Sequence, residues 1–266
     1  MNVLPMAAAK IVKYELRDVV RSRWLIAYAL FFGITTDALL RFGSAGKALV
    51  SLTSVTLFIV PMVGLVFGTV YLDNAREFTE LLLAQPITRR QLFTGLYLGL
   101  TLPLAGAFIF GVGIPFMLHG VDDRALYVPL MTLALVGVAM SCVFTAIAFV
   151  ISACFDDRLR RMGAAIGVWL VMAVLYDGLV LVIVMLFGDY PIERPMLALM
   201  IANPVDLARM LLLLQFDMSA LMGYTGAAFQ QFFQGGTGTV IVGAALVTWT
   251  AAPLLLGMRA FGKRDF

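Results

Sequence analysis

Charged residues are scarce in this chain of 266 residues. Asp, Glu, Lys and Arg make up only 13% of it, and hydrophobic residues make up 62%, whereas soluble domains carry about 25% charged residues. The mean hydropathy is +0.97, so water is excluded as the solvent for most of the surface. We therefore expect an integral membrane protein, not a soluble enzyme, and no nucleic-acid partner.

Histidine and cysteine are equally rare. His119 is the only histidine, which excludes a His-rich metal site and argues strongly against a Ser/His/Asp triad. No G-x-x-x-x-G-K-[ST] phosphate-binding loop occurs, so the chain cannot hydrolyse ATP by itself. Cys142 and Cys154 fall on one predicted helix, about 18 Å apart, and cannot pair. We expect no catalytic residue, metal or cofactor in this chain.

Long apolar runs are what the sequence has in abundance. Crossing a bilayer takes about 20 apolar residues, and six runs qualify: 24–40, 49–72, about 93–118, 126–151, 164–187 and 238–258. They lack the strict alternation of a membrane barrel, so each predicts a helix. The expected fold is an all-α integral membrane protein in which residues 1–266 form a single transmembrane domain.

The basic residues predict the orientation. If the N-terminus is cytoplasmic, 14 of the 19 Lys and Arg residues lie inside, and only Arg41, Lys47, Arg124, Arg194 and Arg209 lie outside. Cytoplasmic loops carry such an excess of positive charge. We therefore expect a multi-pass protein of the cytoplasmic (inner) membrane with both termini in the cytoplasm.

A seventh apolar run, 196–214, is interrupted by polar residues. It contains Asn203, Pro204, Asp206 and Arg209, and a charge at the bilayer centre costs about 2.5–3.5 kcal/mol. The sequence instead predicts two short helices within an extracytoplasmic loop at 188–236. Asn203 caps the second helix, Pro204 occupies its first turn, and Asp206 adds a favourable charge near its N-terminus.

Residues 1–23 precede the first apolar run and carry a basic stripe. Its members recur every three or four residues: Lys10, Lys13, Arg17 and Arg21. This spacing predicts an amphipathic helix lying on the anionic cytoplasmic surface of the membrane. The alternative is a positive flank that only sets the topology.

A charged island follows the second apolar run. The cytoplasmic region 73–92 includes the start of REFTELLLAQPITRRQLFTGLYLG (76–99), in which Pro86 ends one predicted helix, and Thr88 with Gln91 forms a capping-box pattern that starts the next. Its folded, amphipathic character suits contact with a soluble partner, although a solvated hairpin is the alternative. The candidate contact residues are Glu77, Phe78, Glu80, Leu81, Leu82, Arg89 and Arg90.

A smaller polar loop, CFDDRLRRMG (154–163), follows the fourth run. It offers Arg158, Arg160 and Arg161 as further contact residues, or as charges that only fix the topology. Within the fifth run, Asp177 is a candidate for the substrate path or for a bond between helices. The motifs GLVFG (64–68), GLYLG (95–99) and GAAIG (163–167) predict close helix packing, within the chain or between two copies.

Taken together, the N-terminal helix, the six spans and ELLLAQPITRRQLFTGLYLG after the second span resemble the permeases of ABC transporters of the type-2 exporter class. The NosY type, used in nitrous-oxide-reductase maturation, is most similar through three further segments: YDG (176–178), NPVDLARML (203–211) and RAFGKRDF (259–266). The resemblance covers essentially the whole chain.

The resemblance implies that region 73–92 carries a coupling helix that docks on a separate ATPase subunit, which binds ATP and Mg. It also implies a homodimer with two ATPase copies, and an extracytoplasmic accessory protein for copper/sulfur-site maturation of nitrous-oxide reductase. Two alternatives stay open: a type-2 permease that exports a lipid, glycan or drug, and an ATP-independent membrane scaffold for an accessory protein.

Overall fold

A computed structural model describes residues 12, 14, 16–75, 88–119, 124–187, 193–214 and 237–263, and all regular elements in these ranges are helical. Several predicted contact residues lie outside the described residues: Lys10, Lys13, Glu77, Phe78, Glu80, Leu81 and Leu82.

Six helices in the described part of the chain are long and apolar enough to cross a membrane. Four are helix α1 (Arg23–Phe42), helix α2 (Ala45–Asn74), helix α3 (Arg89–His119) and helix α4 (Tyr127–Cys154). The fifth span, Arg158–Phe187, consists of α5 (Arg158–Leu170), a π-helical turn (Val171–Leu175) and α6 (Tyr176–Phe187). The six-span, all-α prediction is confirmed.

Two short helices, α7 (Glu193–Ile201) and α8 (Pro204–Leu214), precede the last span. Their axes are bent by 108° at the break between them. The Asn203 side-chain oxygen accepts the Val205 N–H at 3.0 Å, which is the predicted N-cap, and Pro204 is the first helical residue. The last span lies within α9 (Thr237–Lys263).

Helix α4 lies at the centre of the bundle and packs against α2, α9 and α3. The α2–α4 approach is close at the GLVFG motif: a Cβ added to Gly68 would lie 2.6 Å from the Ala148 Cβ, and one added to Gly64 would lie 3.2 Å from the Phe144 Cβ. This motif therefore serves packing within the chain. By contrast, nothing lies within 4 Å of the Cβ positions of Gly163 and Gly167.

Helix α1 packs chiefly on α3 and contacts α2 much less. A Cβ added to Gly111 of α3 would lie 2.8 Å from the Ala29 carbonyl oxygen, and the Phe32 and Phe108 rings pack edge to face at 4.9 Å. Because α1 is held on α3, a groove remains between α1 and α2.

The alternating spans give the bundle two ends. The basic end carries the start of α1, α3 and α5 and the end of α2, α4 and α9. At the opposite end, Asp37 of α1 pairs with Arg41 at 2.7 Å and faces His119 of α3 at 3.5 Å.

Candidate functional site

The start of α3 is fixed by reciprocal hydrogen bonds at the basic end. The Thr88 N–H donates to Gln91 Oε1 at 3.1 Å, and the Gln91 N–H donates to Thr88 Oγ1 at 3.4 Å. This is the predicted capping box, which satisfies two N–H groups that a helix start leaves unpaired. Segment 76–87 is therefore followed at once by a defined helix start.

The same helix start is linked to the end of α9. Arg89 Nη1 donates to the Gly262 carbonyl oxygen at 3.1 Å, as basic side chains do at helix C-termini. Beside this contact lies a cavity of about 680 Å³ between the two helix ends, lined in part by Arg89, Arg90 and Arg259. Arg90 and Arg259 are exposed, so the cavity presents positive charge at the basic end.

The end of α2 is linked to the loop between α4 and α5. Arg161 Nη2 lies 2.6 Å from Asp73 Oδ1, and these side chains are only 8% and 10% exposed. Arg161 also donates to the Asp156 carbonyl oxygen at 3.2 Å. Arg158 lies 3.9 Å from Asp73 but is largely exposed, as is Arg160. Of the three arginines in this loop that were predicted as contact residues, only Arg158 and Arg160 are exposed at the surface.

The predicted coupling region is therefore linked to other elements on both sides of segment 76–87. Asp73 precedes the segment and pairs with the 154–163 loop. Arg89 follows it and bonds to α9.

A second polar group lies in the opposite half of the bundle. Arg209 Nη1 of α8 lies 2.7 Å from Asp177 Oδ1 of α6 and 3.4 Å from Asp206 Oδ1. Asp177 thus bonds to a neighbouring helix, one of the two roles predicted for it. Sequence reasoning missed Arg209 as its partner, although a carboxylate within a span usually pairs with another charge.

Asn203 connects the break between α7 and α8 to the fifth span. Its Nδ2 donates to the Met172 carbonyl oxygen at 2.8 Å, inside the π-helical turn Val171–Leu175. A π-helical turn interrupts the regular ladder of helix hydrogen bonds and recurs at functional sites. No sequence signal predicted this turn.

Two further hydrogen bonds reach the last turn of α7. Tyr176 Oη donates to the Leu199 carbonyl oxygen at 2.6 Å, and Trp249 Nε1 of α9 donates to the Ile201 carbonyl oxygen at 3.0 Å. The bond to Ile201 satisfies a carbonyl of the kind that a helix end leaves free, whereas the Leu199 carbonyl also accepts the Ala202 N–H at 3.1 Å. The fifth span, the bent pair of helices α7 and α8, and α9 thus form one polar network. Within it, the Arg209 guanidinium has two alternative carboxylate partners, Asp177 and Asp206.

The N-terminal segment is helical just before α1 and has exposed basic residues there. Residues 16–20 are helical, and a turn follows in which the Arg21 N–H donates to the Asp18 carbonyl oxygen at 3.1 Å. Arg17 and Arg21 are exposed, whereas Val19 is buried. Two members of the basic stripe therefore present their charge to the surroundings.

The sequence of this six-span chain matches a known protein family. A family model described as "ABC-2 family transporter protein" matches residues 9–266. The chain therefore belongs to the ABC-2 transporter family, and it is a multi-pass membrane permease subunit.

Two curated relatives are both named "Probable ABC transporter permease protein NosY". The protein from Pseudomonas aeruginosa is 28% identical over 271 aligned residues, and that from Stutzerimonas stutzeri is 27% identical over 275. In each case the match covers 96% of this chain and 97% of the relative. The chain is similar to these permeases over nearly its full length.

Proposed function

We propose that this permease couples ATP hydrolysis by a separate ATPase subunit to the export or delivery of a substrate across the cytoplasmic membrane. The observation that carries the proposal is the pair of links on either side of segment 76–87. Asp73 pairs with Arg161 before it, and Arg89 bonds to Gly262 after it. An ATPase docked on this segment would hold the ends of α2 and α3 at once.

Transmission of the movement follows from these links. When the ATPase subunits approach each other, segment 76–87 moves with them and displaces α5 and α9 through their contacts with Asp73 and Arg89. The bundle then shifts between two packings, as in other systems that change by small helix displacements.

The polar network in the opposite half is the element that responds. Arg209 lies 2.7 Å from Asp177 and 3.4 Å from Asp206, so a small shift of α8 would change which carboxylate it favours. The π-helical turn gives the fifth span a point at which its two halves can move separately. In this mechanism Asp177 opens or closes the substrate path by gaining or losing Arg209.

The complex would contain two copies of this chain and two ATPase subunits. Of the six spans, the fifth is the least buried by the rest of the chain: only 6% of its most apolar stretch of 18 residues is buried. It also carries Gly163 and Gly167, and a Cβ added to either glycine would have no neighbouring side chain or helix within 4 Å. A second copy could approach this span closely, as small residues permit between membrane helices.

Similarity to permeases named NosY favours one substrate system. We propose delivery for copper/sulfur-site maturation of nitrous-oxide reductase, with an accessory protein on the extracytoplasmic side. The bent pair α7–α8 and the loop around it would face that accessory protein.

The docking step can be tested by removing an apolar contact. Phe78→Ala should weaken ATPase association by about 2 kcal/mol if Phe78 is a hot spot, because buried aromatic residues dominate interface energies. Phe42→Ala is the control, since Phe42 is 92% exposed at the opposite end. Association is measured by titrating detergent-solubilised permease with purified ATPase subunit at matched expression.

The charges of the same region provide a second test. Arg89→Glu combined with Arg90→Glu should lower permease-stimulated ATP hydrolysis, whereas Lys47→Glu combined with Arg124→Glu changes the same charge at the opposite end and should not. Hydrolysis is measured after reconstitution in lipid. Normal association of Phe78→Ala together with normal hydrolysis in both double variants would rule out region 73–92 as the ATPase contact.

A further inference from the structure

Two adjoining cavities lie between the N-terminal helix, α1 and α2. The first, about 540 Å³ at the basic end, has walls of polar and apolar residues and is named the polar cavity after Tyr14, Asp18, Ser22 and Asn74. The second, about 360 Å³, is a slot whose walls are side chains of α1 and α2, among them Ala27, Phe31, Met62 and Val66. Trp24 and Phe67 line both cavities, so the two lie side by side.

The slot exists because of the way α1 packs. Its buried residues Phe32 and Tyr28 stack edge to face on each other, and Phe32 also stacks on Phe108 of α3. Helix α1 consequently makes far fewer contacts with α2 than with α3. Trp24 is 74% exposed, near the first turn of a membrane span, where tryptophan marks the boundary between headgroups and hydrocarbon. The polar cavity therefore lies at headgroup depth, and the slot runs into the hydrocarbon layer.

We propose that this site binds one glycerophospholipid whose headgroup carries a primary ammonium. The Asp18 carboxylate lines the polar cavity and would accept a charge-assisted hydrogen bond from the ammonium. Arg21 lies in the turn that follows the N-terminal helix and is exposed, and its guanidinium would pair with the phosphate. One acyl chain occupies the slot between α1 and α2.

The size and walls of the slot favour a lipid chain over a protein helix. A helix with its side chains is about 10 Å wide, and a slot of about 360 Å³ does not hold one. A second copy of the chain would therefore cover the slot without filling it. The two cavities also provide a polar and an apolar part at the depths at which a phospholipid carries them.

The site adjoins the coupling region without depending on its role. Asn74 and Ala75 line the polar cavity, and segment 76–87 begins at the next residue. The lipid headgroup would thus contact the residues that lead into this segment. Lipid binding itself requires no ATPase, so the proposal goes beyond the proposed function and stands or falls separately.

The test is to fill the slot and count retained lipid. The purified chain in mild detergent is exchanged against an equimolar mixture of phosphatidylethanolamine, phosphatidylcholine and phosphatidylglycerol with identical acyl chains, and bound lipid is measured by native mass spectrometry. The unmodified chain should retain one phosphatidylethanolamine. Ala27→Phe should reduce this occupancy at least 10-fold, whereas Ala252→Phe, at an exposed alanine of α9, should leave it unchanged.

A second variant separates headgroup recognition from chain binding. Asp18→Asn should lower the preference for phosphatidylethanolamine over phosphatidylcholine about 5-fold or more, while the total bound lipid changes little. Equal retention by Ala27→Phe and Ala252→Phe would overturn the site. The site would also be overturned by two results together: the unmodified chain retains no lipid, and its Ala27→Cys variant, made without Cys142 and Cys154, crosslinks to a second copy.

Discussion

Individual arginines on one helix differ sharply in what they contribute. Arg161 is buried in contact with Asp73, whereas Arg160, one residue earlier, is 78% exposed and lies 3.9 Å from Asp157. Exposed pairs contribute about 0–1 kcal/mol, and removal of one partner of a buried pair costs about 3–5 kcal/mol. The two residues therefore differ in their effect on stability despite identical chemistry.

Arg161→Met should accordingly lower the thermal unfolding midpoint in detergent far more than Arg160→Met. The protein loses stability because the Asp73 carboxylate would stay buried, with only Arg158 at 3.9 Å as a partner. Unfolding is followed by fluorescence-detected size exclusion after heating. The double variant Asp73→Leu with Arg161→Met should recover much of the loss, and equal effects of the two single arginine variants would contradict the buried pair.

The shared guanidinium of Arg209 leads to a second expectation at this scale. Asp177→Asn leaves Arg209 with Asp206, so the network keeps a charged pair. Arg209→Gln leaves two carboxylates without a cation, and like charges at close range repel. Arg209→Gln should therefore destabilise the purified protein more than Asp177→Asn.

Transport assays then separate structure from mechanism for Asp177. A well-folded Asp177→Asn variant should lose transport, because Arg209 no longer has two competing carboxylates. If Asp177→Asn transports normally and only Asp177→Leu is unstable, the ion pair is structural only.

At the scale of elements, glycines decide how closely two helices approach. Gly68 faces Ala148 across the α2–α4 interface, whereas nothing lies within 4 Å of a Cβ on Gly113 in α3. Membrane helices associate through close packing of small residues, because the surrounding lipid provides no hydrophobic driving force for their association. A side chain at Gly68 must therefore separate α2 from α4.

Gly68→Leu should abolish or strongly reduce the yield of folded protein, while Gly113→Leu should leave it near the unmodified level. The measure is the monodisperse fraction after detergent extraction, at matched total expression. Comparable yields for the two variants would mean that α2 and α4 do not pack at this motif.

For the whole molecule, the orientation in the membrane is the testable property. The basic end holds Arg23, Arg89, Arg90, Arg158 and Arg160, and such clusters favour the cytoplasmic side. In a background without Cys142 and Cys154, Lys47→Cys should react with an impermeant thiol reagent in intact cells. Gly262→Cys should react only after permeabilisation. Labelling of both Lys47→Cys and Gly262→Cys in intact cells would mean seven spans, with the two short helices α7 and α8 together forming the additional one.

The sequence by itself determined the membrane class, the six spans and two helix starts. An apolar run of about 20 residues and a cap such as Thr88 with Gln91 are local properties, so neighbours in the sequence suffice to predict them. Asn203 and Pro204 likewise predicted the break between α7 and α8 from local chemistry alone.

The tertiary structure decided which helices meet and which charges pair. Arg209 meets Asp177, Asp73 meets Arg161, and α1 packs on α3 rather than on α2. Helices that are apolar on all sides carry no sequence signal for the face they bury, so helix rotation and neighbour choice depend on the packing of distant side chains. The groove between α1 and α2 and the network around the π-helical turn could therefore be found only in the folded chain.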